Sequence, residues 1–188
     1  MEDFSIRVAT DLDVPAIVAL ANQNTYQVLS ATDRQVGFLT GSFTEEAIQK
    51  MMDSAPCLVA YYQQELAGFL INSKLTPAAY PPLVQHIIHK MPGLIYRHLP
   101  LINYKCFFYG PVLVAKRFRG KGLLSRLFHK SKEQLQGKFE VGIAFIDAHN
   151  ITSYTAHTKR LGLELIGQLT FQAHVYLIMA FSLIKAPV

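Results

Sequence analysis

Residues 114–128 read "VAKRFRGKGLLSRLF", and the reading of this stretch decides how the rest of the chain is organised. Arg117, Arg119 and Lys121 fall among Gly120 and Gly122 within six positions. The apolar run before them, "KCFFYGPVLV" (residues 105–114), is rich in β-formers and predicts a strand. The run after them predicts a helix over residues 121–136. Leu123, Leu124, Leu127, Phe128 and Leu135 share one side of it, Arg126, His129, Lys130, Lys132 and Glu133 the other, and Gly137 ends it. A strand that turns through glycines into a helix presents unpaired backbone N–H groups at the positive end of the helix dipole. Gly120 and Gly122 let a ligand approach where a Cβ would collide. With three cations alongside, a pyrophosphate is the natural guest.

Working outward, residues 4–9 alternate as a strand. Residues 10–23 form a helix with a Thr10–Asp13 capping pair, Pro15 in the first turn, and an apolar face of Val14, Ile17, Val18 and Ala21. A second helix begins near residue 42, with Ser42 as its cap and Glu45 three residues on. Residues 57–62 and 66–72 form a hairpin. Residues 76–104 carry Pro77, Pro81, Pro82, Pro92 and Pro100 and a short helix over 83–90. A connection of this length often lines a functional site, or else packs or makes a dimer contact. Past the quoted loop come a strand (139–147), a polar helix (150–162) and two strands (163–171 and 174–184). The order β-α-α-β-β-β-α-β-α-β-β describes an α/β chain, one domain over residues 1–188.

Composition narrows the partners. Of the 188 residues 51% are hydrophobic and 16% charged, which argues for a compact fold and against disorder. A net charge of +5 favours an anionic ligand. Cys57 and Cys106 sit in apolar runs with no CxxC, as buried thiols of a reducing compartment would. The start, "MEDFSIRVAT", has no apolar core of a signal peptide, and residues 175–181 are too short an apolar run to span a bilayer. The expected location is cytoplasmic. His86 and His89 are spaced for a metal but lack an evident third ligand, so no metal is expected.

The string GxxxxGK[ST] is absent, and "GKGLLS" lacks the third glycine of a dinucleotide loop. What stands is Arg117-x-x-Gly120-x-Gly122 between strand and helix. This resembles the pyrophosphate loop of the GNAT superfamily of N-acetyltransferases, and residues 109–128, "YGPVLVAKRFRGKGLLSRLF", match the family's strand, loop and helix. Downstream, Asn150, Ser153, His157, Lys159, Leu161, Gly162 and Leu163 follow the family's later pattern, with Leu163 in place of the usual Phe and one extra residue between His157 and the Leu-Gly pair.

The resemblance implies a mixed, mostly antiparallel sheet flanked by helices, with two central strands splayed apart. It implies acetyl-CoA as co-substrate and direct transfer of the acetyl group to a primary amine, on a small molecule or a peptide. Val112, Leu113 and Val114 would pair with the pantetheine arm. Arg117, Phe118, Arg119, Gly120, Lys121 and Gly122 would hold the diphosphate, and Asn150 and Ser153 would meet the arm from the far side. His157 would protonate the leaving thiolate; a slip of one turn puts Tyr154 in that place. Asp147 or His149 would serve as base, and Tyr109 and His149 would line the acceptor pocket. Two other readings stay open: a CoA-binding module without catalysis, and acetylation directed at an RNA-borne amine, for which no RNA-binding signature stands in the sequence. A homodimer also stays open.

Overall fold

The computed structural model describes residues 3–184. In chain order the elements are β1 (Phe4–Val8), α1 (Val14–Asn22), α2 (Ala31–Arg34), α3 (Glu45–Ser54), β2 (Leu58–Tyr62), β3 (Glu65–Ser73), α4 (Pro82–Lys90), β4 (Ile95–Tyr96), β5 (Leu99–Pro100), β6 (Cys106–Val114), α5 (Leu123–Leu135), β7 (Val141–Asp147), α6 (Ile151–Thr155), β8 (Glu164–Phe171) and β9 (His174–Ser182). Seven strands make one sheet in the order β1-β2-β3-β6-β7-β9-β8, and β4 with β5 makes a separate small hairpin. All neighbours in the large sheet are antiparallel except β6 and β7.

Capping explains where the first helices begin. The Thr10 backbone N–H and hydroxyl donate to Asp13 at 2.8 and 3.0 Å. Both Arg7 amino groups and the Tyr61 hydroxyl reach the same carboxylate, tying the entry of α1 to β1 and β2. Burial opposes that charge, but these bonds outweigh it and hold Asp13 well below the usual carboxylate range. The cap of α3 is Thr44, which accepts from the Ala47 N–H, and not Ser42. Asn22 is the reason: its side chain takes both backbone groups of Phe43 at 2.8 Å and keeps that residue out of the helix.

Alternate residues of each strand feed two layers. Phe107 and Tyr109 of β6, with Ala144 and Ile146 of β7, pack against α5 through Leu123, Leu127 and Phe128. Cys106 and Phe108, with Val141 and Ile143, face the other side. There α4, Tyr96 and Leu101 cover them, while α1 and α3 cover β2 and β3. The proline-rich connection therefore packs on the sheet; none of residues 76–104 lines either cavity of the cleft described below. Both cysteines are buried free thiols, and burial pushes them up, Cys57 to about 12 and Cys106 to about 11. No helix among the described residues is long and apolar enough to cross a membrane.

Two hairpins turn through two residues with positive φ, Arg97–His98 and Gln172–Ala173. Such turns match the twist of the flanking strands but favour glycine or asparagine. Ala173, at φ 65°, carries a left-handed penalty of roughly 1–2 kcal/mol. Ala173→Gly is expected to raise stability by about 0.5–1 kcal/mol, the remainder being offset by the freer unfolded chain. A thermal melt should show a midpoint higher by about 1–4 °C.

The irregularity that creates the site lies at the sheet's centre. β6 pairs with β3 from Phe108 to Val114, but with β7 only from Cys106 to Phe108. Beyond Phe108 and Ile143 the two parallel strands part, and no β7 residue pairs with Tyr109 to Val114. Pro111, which has no backbone N–H to offer a ladder, sits inside that stretch.

Candidate functional site

The gap between β6 and β7 opens into two adjoining cavities. The larger, about 440 Å³, runs along Val112 and Val114 to Gly120 and Gly122, with Leu124 and Ala156 among its walls. The smaller, about 130 Å³, is bounded by Tyr109, Pro111, Phe145 and Asp147. Phe38, Leu39, Val112, Asn150, Ser153 and His157 border both. The arrangement is a long channel with an anion loop at one end and a small acid-lined pocket at the other.

At the loop, Gly120 and Gly122 take φ of +80° and +75°, and nothing lies within 4 Å of where a Cβ would stand on either. Gly122 immediately precedes α5, so the first N–H groups of a 13-residue helix face this open space. The cations beside it are not idle. The Arg119 Nε donates to the Val114 carbonyl at 2.9 Å and its Nη1 to the Val36 carbonyl at 2.7 Å. Burial lowers the pKa of Arg119, with Asp33 working against the shift. Arg117 pairs with Glu65 at 2.8 Å and lies over the Phe118 ring, as does Lys121.

A segment that sequence reasoning missed closes the channel. Residues 31–41, comprising α2 and the loop after it, are tied to both walls. From the loop side Lys116 reaches Asp33 at 2.9 Å and Arg119 reaches Val36. From the α6 side Thr152 donates to the Gln35 carbonyl at 2.7 Å, and Asn150 Nδ2 to the Phe38 carbonyl at 2.8 Å. Gly37, at φ +108°, makes the bend that brings the segment against Asn150. Gly37 and Gly41, flanking "FLT", were the available signal.

No family model matches the sequence, and no curated protein is significantly similar to it. Solved structures do match. The protein smu.2055 of Streptococcus mutans UA159 is 19% identical at a TM-score of 0.64, covering 95% of this chain and 99% of its own. The structure of yncA from Salmonella typhimurium with its cofactor acetyl-CoA is 17% identical at 0.61, covering 99% and 97%. An acetyltransferase of the GNAT family from Streptococcus pneumoniae is 15% identical at 0.61, covering 96% and 99%. This is the GNAT fold.

Within the GNAT fold, the segment around His157 departs from a regular α-helix. Ala156–Arg160 forms a π-turn, with the Leu161 N–H donating to the Ala156 carbonyl five residues back. A turn of this kind takes up one residue more than an α-turn, as the extra residue expected between His157 and the Leu161-Gly162 pair would require. Such single-turn widenings are frequent at functional sites. His157 sits on this turn, buried, and borders both cavities. Its Nδ1 lies 2.8 Å from the Ser153 carbonyl. A carbonyl only accepts, so Nδ1 carries the proton and Nε2 the lone pair. Burial lowers the His157 pKa, and the bond to Ser153 only partly restores it. The Tyr109 ring stands edge-on to this imidazole at 5.7 Å, and its own buried hydroxyl has no hydrogen-bond partner among the described residues.

The other expected residues divide. Tyr154 packs against the core around α5 and borders neither cavity. Asp147 ends β7, buried at the smaller cavity. Burial pushes its pKa up, but the His149 backbone N–H and the His174 and His149 rings overcome this and hold it low. His149 is exposed and lines neither cavity. Arg117 and Lys121 stand beside the larger cavity without lining it, whereas Arg119, Phe118, Leu113 and Ser153 do line it.

Proposed function

We propose that this chain, as a single acetyltransferase domain, moves an acetyl group from acetyl-CoA to a primary amine by direct attack in a ternary complex. The observation that carries the reading is the parting of β6 from β7, because it joins an anion loop, an unpaired strand edge and His157 along one channel. The residues present fit the co-substrate. The open, left-handed glycines leave room for a diphosphate against the N–H groups of α5, with Arg117, Arg119 and Lys121 adding charge. The edge of β6 at Val112, Leu113 and Val114, which has no β7 partner, would meet the pantetheine amides opposite Asn150 and Ser153, the Val114 carbonyl being shared with Arg119 Nε. Bound acetyl-CoA supplies an activated acyl carbon.

The chain's own part is positioning and proton handling. Alkyl amines titrate near about 10.4, so most arrive protonated at neutral pH. The ionised Asp147 carboxylate holds such an ammonium at the small pocket, Tyr109 contributes wall, and the ammonium gives its first proton to water to become the neutral amine that attacks. His157, with Nδ1–H anchored on Ser153, receives at Nε2 the proton that the attacking nitrogen sheds. The same imidazole can then return it to the leaving thiolate, whose pKa of roughly 8.5 makes it the better final holder. This modifies the sequence expectation of an acid that is protonated beforehand. Alignment of both partners in the channel supplies much of the rate.

The test is acetyl-CoA-dependent thiol release over a panel of small alkylamines, amino acids and peptides with free N-termini. Turnover on at least one amine is expected. Tight binding of CoA with no turnover on any of them would favour a CoA-binding module instead.

A further inference from the structure

We propose that Asp147, His149 and His174 form a binding site for one divalent transition-metal ion, zinc being the first candidate, at the rim of the smaller cavity. Nothing in the transfer chemistry requires it, and the sequence, where only His86 and His89 on α4 have metal spacing, leads to the expectation of no metal. The three residues come together through the fold. Asp147 ends β7, His149 lies two residues on, and His174 begins β9. The antiparallel register of β7 with β9 places Asp147 opposite Tyr176, and so brings His174 alongside.

The donor atoms already converge. His149 Nδ1 lies 3.0 Å from Asp147 Oδ1, and His174 Nδ1 lies 2.8 Å from Oδ2. One ligand atom from each of the three residues falls within 4.8 Å of the others. Around a zinc ion with bonds of about 2.0–2.2 Å, tetrahedral ligands stand roughly 3.4 Å apart. Closing the remaining distance takes a small rotation of the His149 ring, whose side chain is 74% exposed and whose bond to Asp147 Oδ1 the ion would replace. The other two are held: Asp147 is buried, and the His174 ring lies against Tyr26 and Tyr176. A fixed pair with one adjustable member is a workable cage.

The donor set suits the ion. Two imidazole nitrogens and one carboxylate select zinc and its neighbours over magnesium or calcium, which prefer oxygen. The protons now on the two Nδ1 atoms move to Nε2, a change of tautomer, so neutral rings lose no charge. One carboxylate against two positive charges leaves further positions for water or for an acceptor's anionic group. An ion there and an acceptor's ammonium would compete for Asp147.

The experiment titrates zinc chloride into untagged, chelator-stripped full-length protein at neutral pH by calorimetry. One equivalent should bind. His149→Ala/His174→Ala should weaken it by more than about 100-fold, beyond the roughly 10–100-fold that losing an orienting partner costs. His149 is on the surface, so His149→Ala alone tests the site without risk to folding. His86→Ala/His89→Ala should bind zinc as the parent does. Absence of zinc binding in the parent, or binding unchanged in His149→Ala/His174→Ala, overturns the site.

Discussion

Gly120→Glu is expected to weaken acetyl-CoA binding by about 100-fold while the chain stays folded. The backbone at Gly120 is left-handed and opens on empty space, so the substitution meets no clash within the protein. Its folding cost is the conformational penalty of roughly 1–2 kcal/mol. Its effect on the ligand is larger, because the new carboxylate occupies the volume assigned to a diphosphate and repels it. Like charges brought together at a binding surface cost several kcal/mol. About 2.8 kcal/mol already amounts to 100-fold. Gly120→Ala separates the two contributions, since it keeps the strain and adds no charge; a loss well below that of the glutamate variant is expected. Calorimetry with acetyl-CoA reads the affinities, and a melting curve reads the folding cost. Parent-like affinity in the glutamate variant would remove the loop from the binding site, whatever the fate of His157.

The loop was legible because its determinants are local. Two glycines, three cations and a helical apolar stripe lie within 20 residues, and each acts through its own backbone or charge. The helix over 83–90 and the capping pair at Thr10 were legible for the same reason. What escaped depends on partners far off in the chain. α2 is four residues long and has no apolar stripe; it holds its place through Lys116, 83 residues from Asp33, and the loop after it through Asn150, 112 residues from Phe38. The start of α3 is set by Asn22, 21 residues before Phe43. Pro111 carried a usable signal: a proline inside a central strand marks where pairing is interrupted, and here it falls within the stretch of β6 that has no β7 partner. The extra residue near His157 could be counted in the sequence, but only the fold turns the count into a π-turn.

His157→Gln should lower kcat on the order of 100-fold, with acetyl-CoA affinity little changed, on any amine that the parent acetylates. The estimate is the low end of what a positioned proton acceptor contributes. Two pH experiments distinguish this from loss of packing. In the first, beneath the slope that the amine's own titration imposes at higher pH, a further acid limb should enter the parent's rate only below about 6.5, the ordinary histidine value, because burial delays protonation of Nε2. The glutamine variant should lack that limb. The second needs no acceptor. An unfolded histidine gains its proton near about 6.5, whereas the buried imidazole resists to lower pH. Between those two values the unfolded chain binds more protons, so parent stability falls as pH drops through the window and levels off below the folded pKa. Above the window the group adds no slope. The stability difference between parent and His157→Gln should accordingly be constant above about pH 6.5 and shrink below it, as read from denaturant midpoints. A difference that stays flat down to pH 5, together with parent-like kcat, would make His157 a packing residue and leave the proton transfer to another group.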